Sequence, residues 1–196
     1  MYSGGESSTK IKPIRGTVNK AIAYIIDSKK TDDELLVSSF ACAASDAAAK
    51  EFEWTRNLAA QQGAQIPTVL ARHLIQAFDV GEVSPEVAHE IGKQFADGWL
   101  KGKYEYVIAT HIDQGHCHNH IVFCATTLDC SRKFRDILRS GKTLAELSDQ
   151  ICEEHKLSVI REPEYQTVTY DKWLGENAKA SQRDMLRMMI DAALRM

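Results

Sequence analysis

Apolar and polar positions along the chain recur with two different periods, and the places where the period changes divide it into elements. Lys10–Ile14 alternates and predicts a short strand. Val18, Ile22, Ile25 and Ile26 then fall on one helical stripe, with Thr17 in the capping position, which predicts a helix over about Val18–Ser28. Leu35–Ala41 predicts a second strand, and the Ala-rich run Ser45–Gln61 a second helix with Ser45 as its cap. Arg72–Phe78 predicts a strand closed by Asp79-Val80-Gly81. Ser84-Pro85-Glu86 opens a helix to about Leu100, because a serine cap followed by proline is a strong start signal. Tyr104–His111 and His118–Thr126 predict two strands. The short polar link Ile112–Cys117 between them implies an antiparallel hairpin. Thr143–Lys156 reads as helix, Leu157–Ile160 as a short strand or turn, and Asp171–Met196 as a helical tail with no stop signal. The expected class is α+β: a central, mainly antiparallel β-sheet flanked by helices, with a helical C-terminal tail.

The domain expectation follows. Residues 1–9 (MYSGGESST) are small and polar and are expected to be a flexible start outside the fold. Residues 10–196 are expected to form a single domain, the N-terminal part of a longer protein, since the last helical pattern runs off the end. Hydrophobic residues make up 44% of the chain, enough for a core. No run of about 18 apolar residues and no secretory signal is present, so neither a membrane span nor secretion is expected. The five cysteines are odd in number and irregular in spacing, with no CxxC. Reduced thiols in the cytoplasm fit that pattern better than a zinc finger or a disulfide framework.

The net charge of −3 gives no molecule-wide field that would attract a polyanion. The cations are nonetheless clustered. Lys10, Lys12, Arg15, Lys20, Lys29 and Lys30 stand in the first thirty residues against Glu6 and Asp27 alone. Arg132, Lys133, Arg135, Arg139 and Lys142 form a second group. Either cluster is a candidate basic surface or an ordinary solvated face.

The chemistry is concentrated in His111-Ile112-Asp113-Gln114-Gly115-His116-Cys117-His118-Asn119-His120, which holds four of the seven histidines. On a strand, residues two apart share a face about 6.6 Å apart, so His118 and His120 present two imidazoles together while Asn119 and Ile121 point the other way. A hairpin returns His111 beside that pair, and three nitrogens can then converge on one divalent ion with coordination positions left open. The alternative is a mixed-polarity strand with incidental histidines. Asp113 is a candidate ligand, orienter of His111 or proton acceptor, or simply a turn residue. His116 lies in the link, with an outer contact to the ligands or to nucleic acid as its candidate role. A zinc-protease reading of His89-Glu90 fails because position 93 is lysine, so His89 is read as an ordinary helix residue.

Tyr24 lies roughly 140–150° around its helix from the centre of the apolar stripe. A tyrosine there faces solvent, a cleft or a ligand. A phenol ionises near pH 10, so a phenolate nucleophile at neutral pH costs roughly 4 kcal/mol unless a base or a metal field helps.

Taken together, Ala21-Ile22-Ala23-Tyr24-Ile25-Ile26 with Lys29-Lys30-Thr31, His111-x-Asp113 with His118-x-His120, and His73-Leu74-Ile75-Gln76-Ala77-Phe78 followed by Ser84-Pro85-Glu86-x-Ala88-His89-Glu90 resemble the relaxases, or mobilisation nucleases, of the HUH endonuclease superfamily, in the MobP or VirD-like branch. The resemblance runs from about Thr9 to the end. Two positions depart from the pattern: Asn119 is polar between the paired histidines, and Cys124 stands where an asparagine is usual.

The resemblance implies a conjugative relaxase that nicks and rejoins one strand of transfer-origin DNA. Tyr24 would be the nucleophile, forming a 5′-phosphotyrosine, with Asp113 or a nearby histidine as its helper. His111, His118 and His120 would be the metal ligands, and His116 and His73 would support them from outside. Three imidazoles suit manganese, zinc or nickel by softness, while cellular supply brings in magnesium, so Mg2+ or Mn2+ is expected to be functional. Lys10, Lys12, Arg15, Lys29, Lys30, Arg132, Lys133 and Arg135 would contact single-stranded origin DNA with an adjacent hairpin. An accessory DNA-binding protein and a coupling protein are the implied partners. Three alternatives remain: a three-histidine nuclease that activates water without a covalent intermediate, a replication initiator of the same superfamily, and a non-enzymatic nucleic-acid binding module.

Overall fold

The computed structural model describes residues 8–113, 115–135 and 140–159. The chain divides into two compact units, Met1–Ile160 and Arg161–Met196, and every described residue belongs to the first. The expected helix at Asp171–Met196 and most of the expected flexible start lie outside the described residues.

The first unit contains β1 (Ser8–Ile14), α1 (Val18–Ile25), β2 (Val37–Phe40), α2 (Ala48–Gln61), β3 (Ala71–Ala77), α3 (Pro85–Leu100), β4 (Tyr106–His111), β5 (His118–Cys124) and α4 (Ser140–Glu154). The strands form one sheet in the order β1-β3-β5-β4-β2, with every neighbouring pair antiparallel. The expected α+β class is therefore observed, and β4–β5 is the hairpin its short polar link implied. Local differences have local causes. Strand β1 starts two residues early because Ser8 and Thr9 pair with Ala77 and Gln76. Helix α1 stops at Ile25, and the chain then winds through Asp32, Asp33 and Glu34, all at positive φ, before entering β2. Thr17 caps α1 by position but makes no side-chain cap bond. In α3 the start signal works as read, since Ser84 Oγ accepts from the Val87 amide with Pro85 in the first turn. Residues 157–159 form neither helix nor strand.

The core has two halves because the sheet is covered on both sides. Ile22 and Ile25 of α1 and Phe52 of α2 pack on Ala71, Val107, Ala109, Val122 and Cys124, which share the front face. On the reverse face, Ile91, Phe95 and Leu100 of α3 and Leu144 and Ile151 of α4 meet Leu74, Ile108, Ile121 and Phe123. Strands β4 and β5 are buried along their whole length, as central strands with both faces covered must be. The edge strand β1 keeps Lys10, Lys12 and Pro13 exposed, which blunts it against further strand pairing.

The reverse face also carries a row of polar side chains. Thr110 and Gln76 lie directly opposite Asn119 on either side of it, and all three are fully buried. Helix α3 approaches them at Gly92, where an added Cβ would overlap the Asn119 amide. The polar residue between the paired histidines is thus a buried contact between sheet and helix.

Candidate metal centre and nucleophile

The register of the central strands builds the site. His111 of β4 pairs with His118 of β5, and His120 lies opposite Ala109, so all three histidines emerge on the front face at one end of the hairpin. One nitrogen from each imidazole lies within 4.8 Å of those of the other two. Asp113 is exposed and is not part of that cluster.

Hydrogen bonding shows which nitrogens are free. His111 Nε2 stands 2.9 Å from the Ile25 carbonyl, so that nitrogen carries the proton and donates it. His120 Nδ1 stands 2.9 Å from His73 Nε2 on the neighbouring strand β3. What remains is His111 Nδ1, His118 Nδ1 and His120 Nε2, each buried and each without a partner. Three clustered histidines that each keep one buried nitrogen with no protein partner are a donor set that a divalent ion satisfies, and the residues fit such an ion. With His120 Nε2 as a ligand, Nδ1–H donates to His73, which fixes the tautomer from outside.

The electrostatics agree. Burial, reinforced by His111 and His73 and then by His118 and Lys30, lowers the His120 imidazole to about 2. Burial, followed by Lys12 and His111, lowers His73 to about 4. Burial likewise holds His111 and His118 below the ordinary histidine value. All four rings are neutral at pH 7, the form that coordinates metal.

Tyr24 stands at the mouth of this cluster. It is 51% exposed, with its ring centroid 5.6 Å from that of His111 and 6.0 Å from that of His120. The α1 stripe explains the exposure: burying Ile22 and Ile25 turns Tyr24 away from the core and along the sheet toward the hairpin. The segment after α1 docks through Ile112 N–H to the Lys30 carbonyl, which sets the Lys30 ammonium 3.8 Å from the Tyr24 ring centroid.

The remaining candidates separate into those near the site and those far from it. His116 approaches His118, with ring centroids 5.2 Å apart. Lys10 and Lys12 share the front face of β1, Lys12 lying opposite His73, while Arg15 follows the other end of that strand. Lys29 is exposed, next to Lys30. Arg132, Lys133 and Arg135 do not join the histidines. They follow the opposite end of β5 and line a cleft of about 700 Å3 with Lys103, Tyr104 and Phe134. Cys124 shares the face of His118 and His120 but lies at the far end of β5 against Phe52, so the departure there does not touch the metal ligands. All five cysteines are free thiols. His89 is not the ordinary helix residue the sequence suggested: it is buried between Ser38 and Thr110. A histidine on the otherwise apolar inner face of an amphipathic helix was the available signal.

An antiparallel sheet carries the three-histidine hairpin, with a tyrosine of the first helix at its mouth. The chain belongs to the relaxases: it matches the MobA/VirD2-like nuclease domain over residues 24–157. Among its relatives, the group II intron-interrupted relaxase LtrB of Lactococcus lactis is 34% identical over 143 residues, which covers 65% of this chain and 25% of that protein. The rlx protein of Staphylococcus aureus is 28% identical over 186 residues, covering 94% of this chain and 53% of that protein. The chain therefore spans a quarter to about half of the length of these relatives. The fold is shared with the Mn-bound MobM relaxase domain in complex with plasmid pMV158 oriT DNA, at TM-score 0.59 and 12% identity, covering 89% of this chain and all of that one. None of the described helices is long and apolar enough to cross a membrane.

Proposed function

We propose that this domain nicks one strand of transfer-origin DNA, with Tyr24 as the nucleophile and His111, His118 and His120 as the metal ligands. The observation that carries the reading is the position of Tyr24, half-exposed at the mouth of three clustered, buried imidazoles that each keep a free nitrogen. In the forward step the Tyr24 oxygen bonds to the scissile phosphorus and the bond to the 3′ oxygen breaks. The phenolic proton passes to a base, for which Asp113 is the candidate, and the departing 3′ oxygen takes up a proton. The products are a 5′-phosphotyrosyl strand and a free 3′-hydroxyl. The reverse reaction rejoins the strand because the phosphodiester is retained.

The chain's own groups divide the work. Lys30, beside the phenol ring, supplies positive charge where the phenolate and the phosphate meet. His73 holds His120 in the coordinating tautomer, and the Ile25 carbonyl does the same for His111. When bound, a divalent ion supplies Lewis-acid stabilisation of the charge on the phosphate oxygens. Manganese is supported by the imidazole donor set and by the Mn-bound state of the MobM domain; magnesium, zinc and nickel are alternatives. Single-stranded origin DNA is the proposed substrate, with Lys10, Lys12, Lys29 and Lys30 tracking the backbone near the break. Arg15, Arg132, Lys133 and Arg135, away from the histidines, are assigned to DNA beyond the nick, such as a flanking hairpin. An accessory DNA-binding protein and a coupling protein are proposed on resemblance alone, as is a cytoplasmic setting.

The test uses labelled single-stranded origin oligonucleotides with Mn2+, denaturing gels and mass spectrometry. The expected result is a covalent adduct on Tyr24, abolished by chelator and by Tyr24→Phe. Cleavage that leaves a free 5′-phosphate and survives Tyr24→Phe would instead establish a metal-activated water mechanism.

A further inference from the structure

Behind the metal centre, on the reverse face of the same strands, runs a chain of hydrogen bonds that nothing in the proposed reaction uses. Ser38 Oγ lies 2.8 Å from His89 Nε2, and His89 Nδ1 lies 2.9 Å from Thr110 Oγ1. Thr110 Oγ1 donates to Asn119 Oδ1 at 2.6 Å. Asn119 Nδ2 donates to Gln76 Oε1 at 3.0 Å and to the Ala88 carbonyl at 2.7 Å, and Gln76 Nε2 donates to Ser148 Oγ at 2.8 Å. The proton count gives the chain one direction. Thr110 has a single hydroxyl proton and gives it to Asn119, so it must accept from His89 Nδ1–H. His89 Nε2 must then accept from Ser38. From β2 through α3, β4, β5 and β3 to α4, each side-chain nitrogen and oxygen of the chain has a partner, and all the links but the Ser38 end lie in the interior, where such chains are stiff and a broken link is costly.

Its location ties the chain to the metal ligands. Thr110 immediately precedes His111, and Asn119 stands between His118 and His120. Side chains alternate along a strand, so Thr110 and Asn119 on the reverse face each stand one residue from a ligand on the front. We propose that Thr110, Asn119 and His89 are positioning residues. They lock β4 to β5 and both strands to α3, and so set the spacing of His111, His118 and His120 before any ion arrives. A merely structural network would contribute stability alone; a positioning network contributes metal affinity as well. The inference rests on the reading of the three histidines as ligands.

Thr110→Val and Thr110→Ser separate these roles, because valine keeps the shape and loses the hydroxyl while serine keeps the hydroxyl. Mn2+ affinity is measured by titration of the chelator-stripped protein, with melting temperature followed in chelator. Thr110→Val is expected to bind Mn2+ about tenfold or more weakly, the usual loss when an outer support of a metal site is removed, with Thr110→Ser within about twofold of the parent. Equal affinity in Thr110→Val, with or without a lowered melting temperature, would overturn the proposal, as would an equal loss in Thr110→Ser. Should Thr110→Val fail to fold, Ser38→Ala at the partly exposed end of the chain decides: weakened Mn2+ binding supports positioning, and unchanged binding overturns it. If the parent protein bound no Mn2+, the metal reading itself would fall, an outcome distinct from equal affinities among variants. The DNA-adduct assay tests the nicking reaction separately.

Discussion

Gly92→Ala is the sharpest test of how the sheet and α3 fit together. An added Cβ would overlap Asn119 Nδ2 and sit 2.6 Å from Ile108 Cδ1 and 2.7 Å from Asn119 Cγ. Neither neighbour can yield cheaply, because Asn119 is held on three sides and Ile108 is fully buried. Overpacking of this kind costs about 1–3 kcal/mol. Pushing the Asn119 amide off the Ala88 carbonyl would break their 2.7 Å bond, and stranding those buried polar groups costs about 1–3 kcal/mol. Alanine returns about 1 kcal/mol of helix propensity. The net is about 1–5 kcal/mol of destabilisation, a large part of the roughly 5–15 kcal/mol that holds a domain folded. Gly98 on the same helix is the control: it is exposed, and its added Cβ would meet Leu147 no closer than 3.5 Å. Gly98→Ala should therefore be neutral or up to about 1 kcal/mol stabilising. Urea denaturation of both variants, with unchanged slope, reads the difference as opposite shifts of the midpoint. Stabilities within about 0.5 kcal/mol of each other would refute the close approach of α3 to Asn119.

Acid should destabilise the metal-free protein below neutrality. His73 and His120 are held at about 4 and about 2 in the folded state, against the ordinary value of 6.5. The unfolded chain binds more protons as pH falls below 6.5, so their contribution is complete above that pH. It declines on the order of 1 kcal/mol per pH unit for each group toward the folded values. Urea midpoints in chelator that stay flat between pH 6.5 and 4 would contradict this. His73→Ala removes the support behind His120 and should weaken Mn2+ binding about 10–100-fold in the same titration; an unchanged constant would show that His120 orients itself. Replacing Lys29 and Lys30 together by alanine should reduce the salt dependence of single-strand binding by about 1.4 in log–log slope if both lysines contact phosphate. An unchanged slope would place the backbone elsewhere.

Periodicity and end signals were enough to read most of the elements. The stripe of α1, the Ser84-Pro85 start of α3 and the short link of the β4–β5 hairpin are local statements, and local sterics and hydrogen bonding enforce them. The three metal-ligand candidates were legible for the same reason: alternation along a strand and return through a hairpin are short-range geometry. So was the outward direction of Tyr24, since a helix cannot bury opposite faces against one sheet.

What the chain could not express locally depends on strand order and on which face meets which helix. His73 comes to His120 only because β3 pairs with β5. The cations at 132–135 are separated from the histidines because they follow the opposite end of β5, a distance invisible to a count of charges. Asn119 looked like a departure from a pattern, and His89 like a bystander. Each became intelligible once α3, at Gly92, lay against the back of the hairpin. The elements and the chemical groups they carry follow from neighbours a few residues apart, and so they can be read along the chain. Which groups share a site and which hold it from behind emerges in the folded domain alone, because that depends on contacts between residues far apart in the chain.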